Sequence, residues 1–405
     1  METSKPQLWS KNFILFSMIT FFIALTYFLT ITTIAGYAMK GFHATEGMAG
    51  LAASVFVIGV LSLRILIGKY IDIIGRKKLL YLALILAFFC TLLYFPIKDL
   101  TIFIFIRFLH GALVGIVLTV MQISVIDIIP VKRQGEGISY YTLSFILATA
   151  IGPFLGLLMT QLASIYAIFV CCTILTGIGI LLALFTKFPK VVLTKEQREG
   201  MKGLHFSQFF EIKAISMSLI MTVLALTFSG IITFLASYSV EINLTYVASL
   251  FFIIYSVCIF ISRPITGRIL DTKGDNIVMY PALILFAASF IVLGLANHGF
   301  TLILASILAG LGYGNLQSSI QAIAIKKSPP HRAGLAASTY FILNDIGIGI
   351  GPFLLGLFIP FIGYRNMYFA SFIIVIACTF AYYVIHGKRA VKLNHREGQS
   401  STSLT

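Results

Sequence analysis

One carboxylate lies deep in an apolar run of this sequence. Of 14 acidic residues, Asp345 alone falls well inside such a run, and Asp127 sits only at the rim of another. Protonated, such a group is tolerable in apolar surroundings; ionised, it needs a cation, water or an arginine. That two-state cost is the chemistry of proton uptake and release. The alternative is a carboxylate held by helix hydrogen bonds or by a fixed salt bridge. Arg107 is its basic counterpart, the one Lys or Arg of 29 left inside an apolar run. It lies roughly 10 Å from the end of its run at about 1.5 Å per residue. There it faces a cavity or a partner, or it snorkels along its own apolar stem to the surface. One turn on, His110 is either a titrating group or a satisfied interior histidine. Tyr27, Gln122, Asn315, Gln317, Gln321 and Asn344 complete the set. These polar groups need partners, either a bound molecule or another helix.

The elements that position these residues are set by composition. Of 405 residues, 59% are hydrophobic and 11% charged, with a mean hydropathy of +0.99. A soluble globular chain carries about 25% charge, so the class is an all-α polytopic membrane protein. A spanning helix needs roughly 20 apolar residues. Twelve candidates follow: 12–39, 47–67, 78–97, 100–126, 138–162, 164–187, 212–240, 246–267, 277–297, 299–325, 335–361 and 364–386. The first run, about 27 residues long, exceeds a signal core and is expected to remain as a span. The spans divide as an N-terminal half (1–187), a cytoplasmic linker (188–211), a C-terminal half (212–386) and a disordered tail (387–405).

The net charge of +15 is scattered over short loops rather than gathered in one domain, which speaks against a nucleic-acid partner. With the N-terminus inside, cytoplasmic segments hold 25 of the 29 Lys and Arg and outer loops hold three, Lys40, Lys98 and Arg365. Both termini are therefore expected to be cytoplasmic, in the cell membrane. The five cysteines lie inside apolar runs at no metal-ligand spacing and read as small buried residues. No metal, no cofactor and no catalytic set is expected.

The chain is also one half written twice. Arg64, Gly68, Asp72 and Gly75 return as Arg263, Gly267, Asp271 and Gly274, an offset of 199 residues. The same offset joins Gly111 to Gly310, Gly115 to Gly314, Gln122 to Gln321, Tyr141 to Tyr340, and Gly152-Pro153 to Gly351-Pro352. The first span aligns at 201 instead, Tyr37 with Tyr238, and a two-residue difference in the first outer loop is expected to absorb the shift. Two six-helix halves of one orientation are parallel repeats about an axis normal to the membrane, with substrate expected between them near the midplane.

These motifs resemble the major facilitator superfamily, and within it the twelve-span drug:proton antiporters of bacteria. The signature between spans two and three, Gly-x-x-x-Asp-(Arg/Lys)-x-Gly-(Arg/Lys)-(Arg/Lys), is matched by Gly68, Asp72, Gly75, Arg76 and Lys77-Lys78, with Ile73 in place of a base. The resemblance implies a conformational latch formed by Gly68, Asp72, Arg76, Asp127 and Asp271; Arg76 can reach Asp127 at the end of the fourth span. Arg107, Gly111 and Gly115 resemble the Arg-x-x-x-Gly-x-x-x-Gly element associated there with proton coupling. Ala148, Gly152-Pro153 and Gly156 resemble the antiporter element of span five, with Ala148 and Leu157 replacing two of its glycines. Gly152, Pro153, Gly351 and Pro352 are expected to allow close packing and a bend.

A secondary transporter working by alternating access is the reading these features support, and not an enzyme. No nucleotide-binding motif is present, so an ion gradient is the expected energy source. The expected function is a proton-coupled exporter of a small amphipathic or zwitterionic molecule, such as a drug or a metal-chelating metabolite. Asp345 and Arg107 would couple the proton, and Tyr27, Gln122, Asn315, Gln317, Gln321 and Asn344 would line the cavity. The alternative is a proton-coupled importer of a small nutrient on the same scaffold. Expected partners are a small-molecule substrate, protons and the bilayer, with the protein as a monomer.

Overall fold

A computed structural model describes residues 8–130, 133–188, 210–329 and 332–388, without the side chains at 65, 66, 68–70, 72, 134–136 and 139. Helices dominate among the described residues: α1 (Lys11–Phe42), α2 (Glu46–Ile74), α3 (Arg76–Leu93), α4 (Leu100–Ile128), α5 (Gln134–Leu162) and α6 (Ile165–Leu184). The second set is α7 (Ile212–Glu241), α8 (Thr245–Lys273), α9 (Asp275–Gly294), α10 (Gly299–Lys326) and the trace Ala333–Tyr382. That trace breaks at Gly363, where φ 76° and ψ 167° leave helical space. Its arms, 333–362 and 364–382, are α11 and α12, and a π turn, Tyr383–Gly387, follows.

Ten of these helical stretches are long and apolar enough to cross a membrane, the last of them containing both α11 and α12. The helix that falls short, α3, has 18 residues and opens on Arg76, Lys77 and Lys78. The outward faces are apolar: Phe361 is 84% exposed and Leu162 78%. Water would not tolerate such surfaces at this density, whereas lipid does.

Several boundaries differ from the expected ones. α3 stops at Leu93 rather than 97: its end tightens into i→i−3 bonds, Tyr94 N to Thr91 O and Phe95 N to Leu92 O, and Pro96 has no N–H to continue the ladder. α9 stops at Gly294 rather than 297 because Arg365 caps it, donating to Gly294 O at 3.3 Å and Ala296 O at 3.1 Å. The two-residue shift between repeats is not in the expected loop after the first helix of each half, for both loops hold three residues, 43–45 and 242–244. It lies in the last turn of α1, which runs five residues past Tyr37 while α7 runs three past Tyr238. Most of the linker expected at 188–211 lies outside the described residues, as does the tail after Lys388; Gly387 and Lys388 themselves still continue the helix.

The chain forms two compact units, Met1–Gly203 and Leu204–Thr405. Each pairs its helices in the same way: α2 on α4, α1 on α5 and α3 on α4 in the first; α8 on α10, α7 on the α11–α12 trace and α9 on α10 in the second. Lipid-embedded helices gain little from expelling water, so close backbone approach has to hold them. A Cβ on Gly111 would collide with Phe56 O, and one on Gly310 would stand 2.6 Å from Tyr255 O. Phe56 and Tyr255 are themselves equivalent by the repeat, and each stacks on an equivalent ring of the first helix of its unit. Tyr27 lies 5.3 Å from Phe56 at 9°, and Phe228 lies 5.3 Å from Tyr255 at 25°. The motif glycines Gly75 (φ 97°) and Gly274 (φ 91°) are single-residue turns from α2 into α3 and from α8 into α9. Only a glycine adopts that φ without strain.

Candidate functional site

Arg107 is fully buried on α4. Its Nε donates to Ala52 O of α2 at 3.3 Å, and its Nη1 donates to Thr30 Oγ1 of α1 at 3.2 Å and to Tyr94 Oη at 3.5 Å. The guanidinium lies over the Phe56 ring, 4.3 Å from its centroid. Thr30 can accept because its own hydroxyl proton is turned to the carbonyls of Thr26 and Tyr27. Tyr94 Oη, at the end of α3, also bonds His110 Nδ1 at 2.8 Å. The His110 ring stands edge-on to Phe56, 5.2 Å away at 87°. Arg107 Nη2 and His110 Nε2 are buried with no hydrogen-bond partner among the described residues. No carboxylate pairs with Arg107 there either. A desolvated cation–π contact contributes about 2 kcal/mol, against a burial cost of several kcal/mol per ion. The charge is held by three hydrogen bonds and a ring face and is neutralised by no carboxylate among the described residues.

The carboxylate of the second unit has a different setting. Asp345 is half-buried on α11, and its Oδ1 accepts from Asn344 Nδ2 at 3.3 Å. Asn344 is buried, and its Oδ1 has no hydrogen-bond partner among the described residues. Arg263 and Asp345 both lie within electrostatic reach of the Tyr340 hydroxyl, which donates to Gln317 O at 2.6 Å. In the first unit the equivalent Arg64 bears on Tyr141 in the same manner, and the Tyr141 hydroxyl bonds Thr20 at 2.9 Å.

The structure sorts the remaining expected residues. Asn315 is committed to its neighbour helix: its Oδ1 accepts from Thr266 Oγ1 at 2.8 Å and Ser262 Oγ at 3.3 Å, and its Nδ2 donates to Leu311 O at 2.8 Å. Gln122 is exposed on α4, Gln321 and Gln317 are half-buried on α10, and Tyr27 stacks beside the arginine on Phe56. Arg76, buried at the start of α3, is ion-paired with Asp127 at the end of α4. Asp271 pairs with Lys326 at 3.0 Å on an exposed surface. Gly68 and the Asp72 side chain lie outside the described residues. Gly152-Pro153 and Gly351-Pro352 sit inside continuous helices, and the only non-helical φ/ψ within Ala333–Tyr382 is at Gly363. Gly152 receives Phe28 Cβ of α1, where a Cβ would stand 2.6 Å away, so close packing is what this element provides.

Sequence reasoning missed Tyr94, Thr30 and Phe56. One signal was available for Tyr94: α3 and α4 form a hairpin joined by residues 94–99, which brings the end of α3 beside the first third of α4. It also missed the pair of His386 with Asp275, 2.8 Å, which ties the π turn to α9.

The family model described as Major Facilitator Superfamily matches residues 16–352 and 217–404. The chain is 22% identical over 342 residues to a staphylopine export protein of Staphylococcus aureus, covering 82% of this chain and 86% of that one. It is 25% identical over 344 residues to the multi-drug resistance efflux pump PmrA of Streptococcus pneumoniae, covering 82% and 84%. Among solved structures it resembles a point mutant of the nucleoside transporter NupG, with a TM-score of 0.76 at 14% identity, covering 93% of this chain and 100% of that one.

Proposed function

We propose, because this chain belongs to the major facilitator superfamily, that it is a proton-coupled exporter of a small amphipathic or zwitterionic molecule. The relatives named for staphylopine export and multi-drug efflux support the direction. The observation that carries the coupling is the division of buried charge. The first unit holds a buried guanidinium with no carboxylate partner among its described contacts, and the second holds the carboxylate Asp345 inside α11. Asp345 takes the proton, and Arg107 is the fixed buried charge of the first unit. Tyr27, Gln122, Gln317, Gln321 and Asn344 are the candidates to face the transported molecule; Asn315 is placed with them in sequence but serves α8. Gly68, Asp72, Arg76, Asp127 and Asp271 form the latch that holds one state of the alternating-access cycle. The protein sits in the cell membrane as a monomer with both termini in the cytoplasm, the side on which its basic loops lie.

The test is uphill transport in inverted vesicles under an imposed proton gradient, with cationic dyes, neutral drugs and metal-chelating metabolites as substrates. Gradient-driven accumulation in the wild type that disappears in Asp345→Asn, with the variant folded and inserted, is the expected result. Full coupled activity in Asp345→Asn would remove Asp345 from the mechanism. Accumulation only under the reversed gradient would replace export by import.

A further inference from the structure

We infer that the Arg107 cluster is an oxyanion subsite, which receives the carboxylate of the transported molecule; this deepens the exporter reading and rests on it. The cluster has more donors than acceptors. Tyr94 Oη accepts from Arg107 Nη1, and His110 Nδ1 is the one acceptor for its own proton among the described residues, so we assign that proton to the Nδ1 bond and the imidazole proton to Nε2. Arg107 Nη2 and His110 Nε2 are then two buried donors, three residues apart on α4, and neither has an acceptor among the described residues. Residues three apart on a helix share a face. A carboxylate would satisfy both donors and neutralise the guanidinium in one step, which neither a water nor a neutral amide does.

The repeat serves as an internal control for the bland alternative, a cation needed only to hold helices together. At the equivalent positions the second unit has Ser306 for Arg107, Ala309 for His110, Leu293 for Tyr94 and Ile231 for Thr30. It still packs α8 on α10, with Ser306 Oγ bonding Phe251 O as Arg107 Nε bonds Ala52 O. The scaffold therefore closes without a guanidinium or an imidazole at these positions, and with an aliphatic residue in place of Tyr94. Nor is the arginine firmly held: its bonds of 3.2, 3.3 and 3.5 Å lie at or beyond the long end of the N–H···O range. Adding a charge-assisted bond from the unpartnered Nη2 to an oxyanion, at about 2.7–2.9 Å, is favourable.

Binding needs no gradient, so the test uses thermal unfolding of the purified full chain in detergent. Sodium formate is the probe, compared with formamide and with sodium chloride at equal ionic strength. A ligand that binds only the native state raises its Tm by mass action; a rise of roughly 2 °C is expected with formate and none with formamide or chloride. Arg107→Ser, which imports the residue of the second unit, should abolish the rise. His110→Leu keeps the guanidinium and should weaken it, which guards against a poorly folded Arg107 variant. No rise in the wild type, an equal rise with chloride, or a rise retained in both variants would each overturn the subsite. Intact gradient-driven transport without a formate effect would sink the subsite alone. A formate effect with no coupled transport would sink the exporter reading alone.

Discussion

The two halves of this molecule share a scaffold and divide much of its buried polar chemistry. Their helices pair alike, their motif glycines turn alike, and their aromatic pairs stack at one distance. Yet the first half places Thr30, Tyr94, Arg107 and His110 where the second has Ile231, Leu293, Ser306 and Ala309. The second half answers with Asn344 and Asp345 where the first has Phe145 and Ile146, and with Ser262, Thr266 and Asn315 where the first has Leu63, Ile67 and Ile116. Whatever both halves keep is what packing requires. Whatever only one half keeps has to be explained by something else, and a buried charge is too costly in lipid to persist without use.

The largest effect should come from forcing the halves to be alike. Ser306→Arg places a guanidinium against Phe251 O with apolar Ile231 and Leu293 in place of Thr30 and Tyr94. An uncompensated buried charge costs about 3–5 kcal/mol, so this variant should fail to fold or lose most of its thermal stability in detergent. The reverse exchange, Arg107→Ser, should leave stability unchanged or slightly higher while coupled transport is lost. If Arg107→Ser unfolds as readily as Ser306→Arg, the guanidinium is part of the scaffold and the division of labour between the halves collapses.

A middle-sized effect separates the two ion pairs near the motif loops. Arg76 is 7% exposed against Asp127, whereas Lys326 and Asp271 are 49% and 71% exposed. Exposed pairs contribute about 0–1 kcal/mol, so Asp271→Asn should be nearly silent in thermal unfolding. Arg76→Gln leaves Asp127 without its partner and should lower stability by roughly 1–2 kcal/mol, the half-exposed carboxylate recovering some hydration. If the pair belongs to the latch, Arg76→Gln also slows turnover while equilibrium substrate binding stays put. Lost binding with normal turnover would contradict the latch.

How much of this was legible in the sequence depends on which contacts are carried by spacing. The repeat was legible because Arg, Gly, Asp and Pro recur at fixed offsets, and backbone turns such as Gly75 and Gly274 can be made cheaply by glycine alone. The reach of Arg76 to Asp127 was legible from the helix-end positions of both. The surroundings of Arg107 were not. Three helices converge on it, and nothing in a hydrophobic run distinguishes Thr30 or Phe56 from neighbours a turn away. Asn315 shows the opposite limit: a buried amide on an apolar helix looks the same in sequence whether it meets a substrate or a serine on the next helix.

The smallest effect should come from that asparagine. Asn315→Ile imports the residue that the first half carries at Ile116, of similar bulk and with no polar needs. The hydroxyls it abandons are not stranded, since Ser262 Oγ also donates to Ile259 O at 3.4 Å and Thr266 Oγ1 to Ser262 O at 3.1 Å. Interhelical hydrogen bonds in membranes average about 0.6 kcal/mol, so the variant should unfold within about 2 °C of the wild type and retain gradient-driven transport. Retention would mark the Ser262–Thr266–Asn315 network as a seam between α8 and α10. Loss of transport from a folded Asn315→Ile protein would move the amide from the seam to the transported molecule. Asn315 would then rejoin Gln317, Gln321 and Asn344 as a residue that meets the transported molecule.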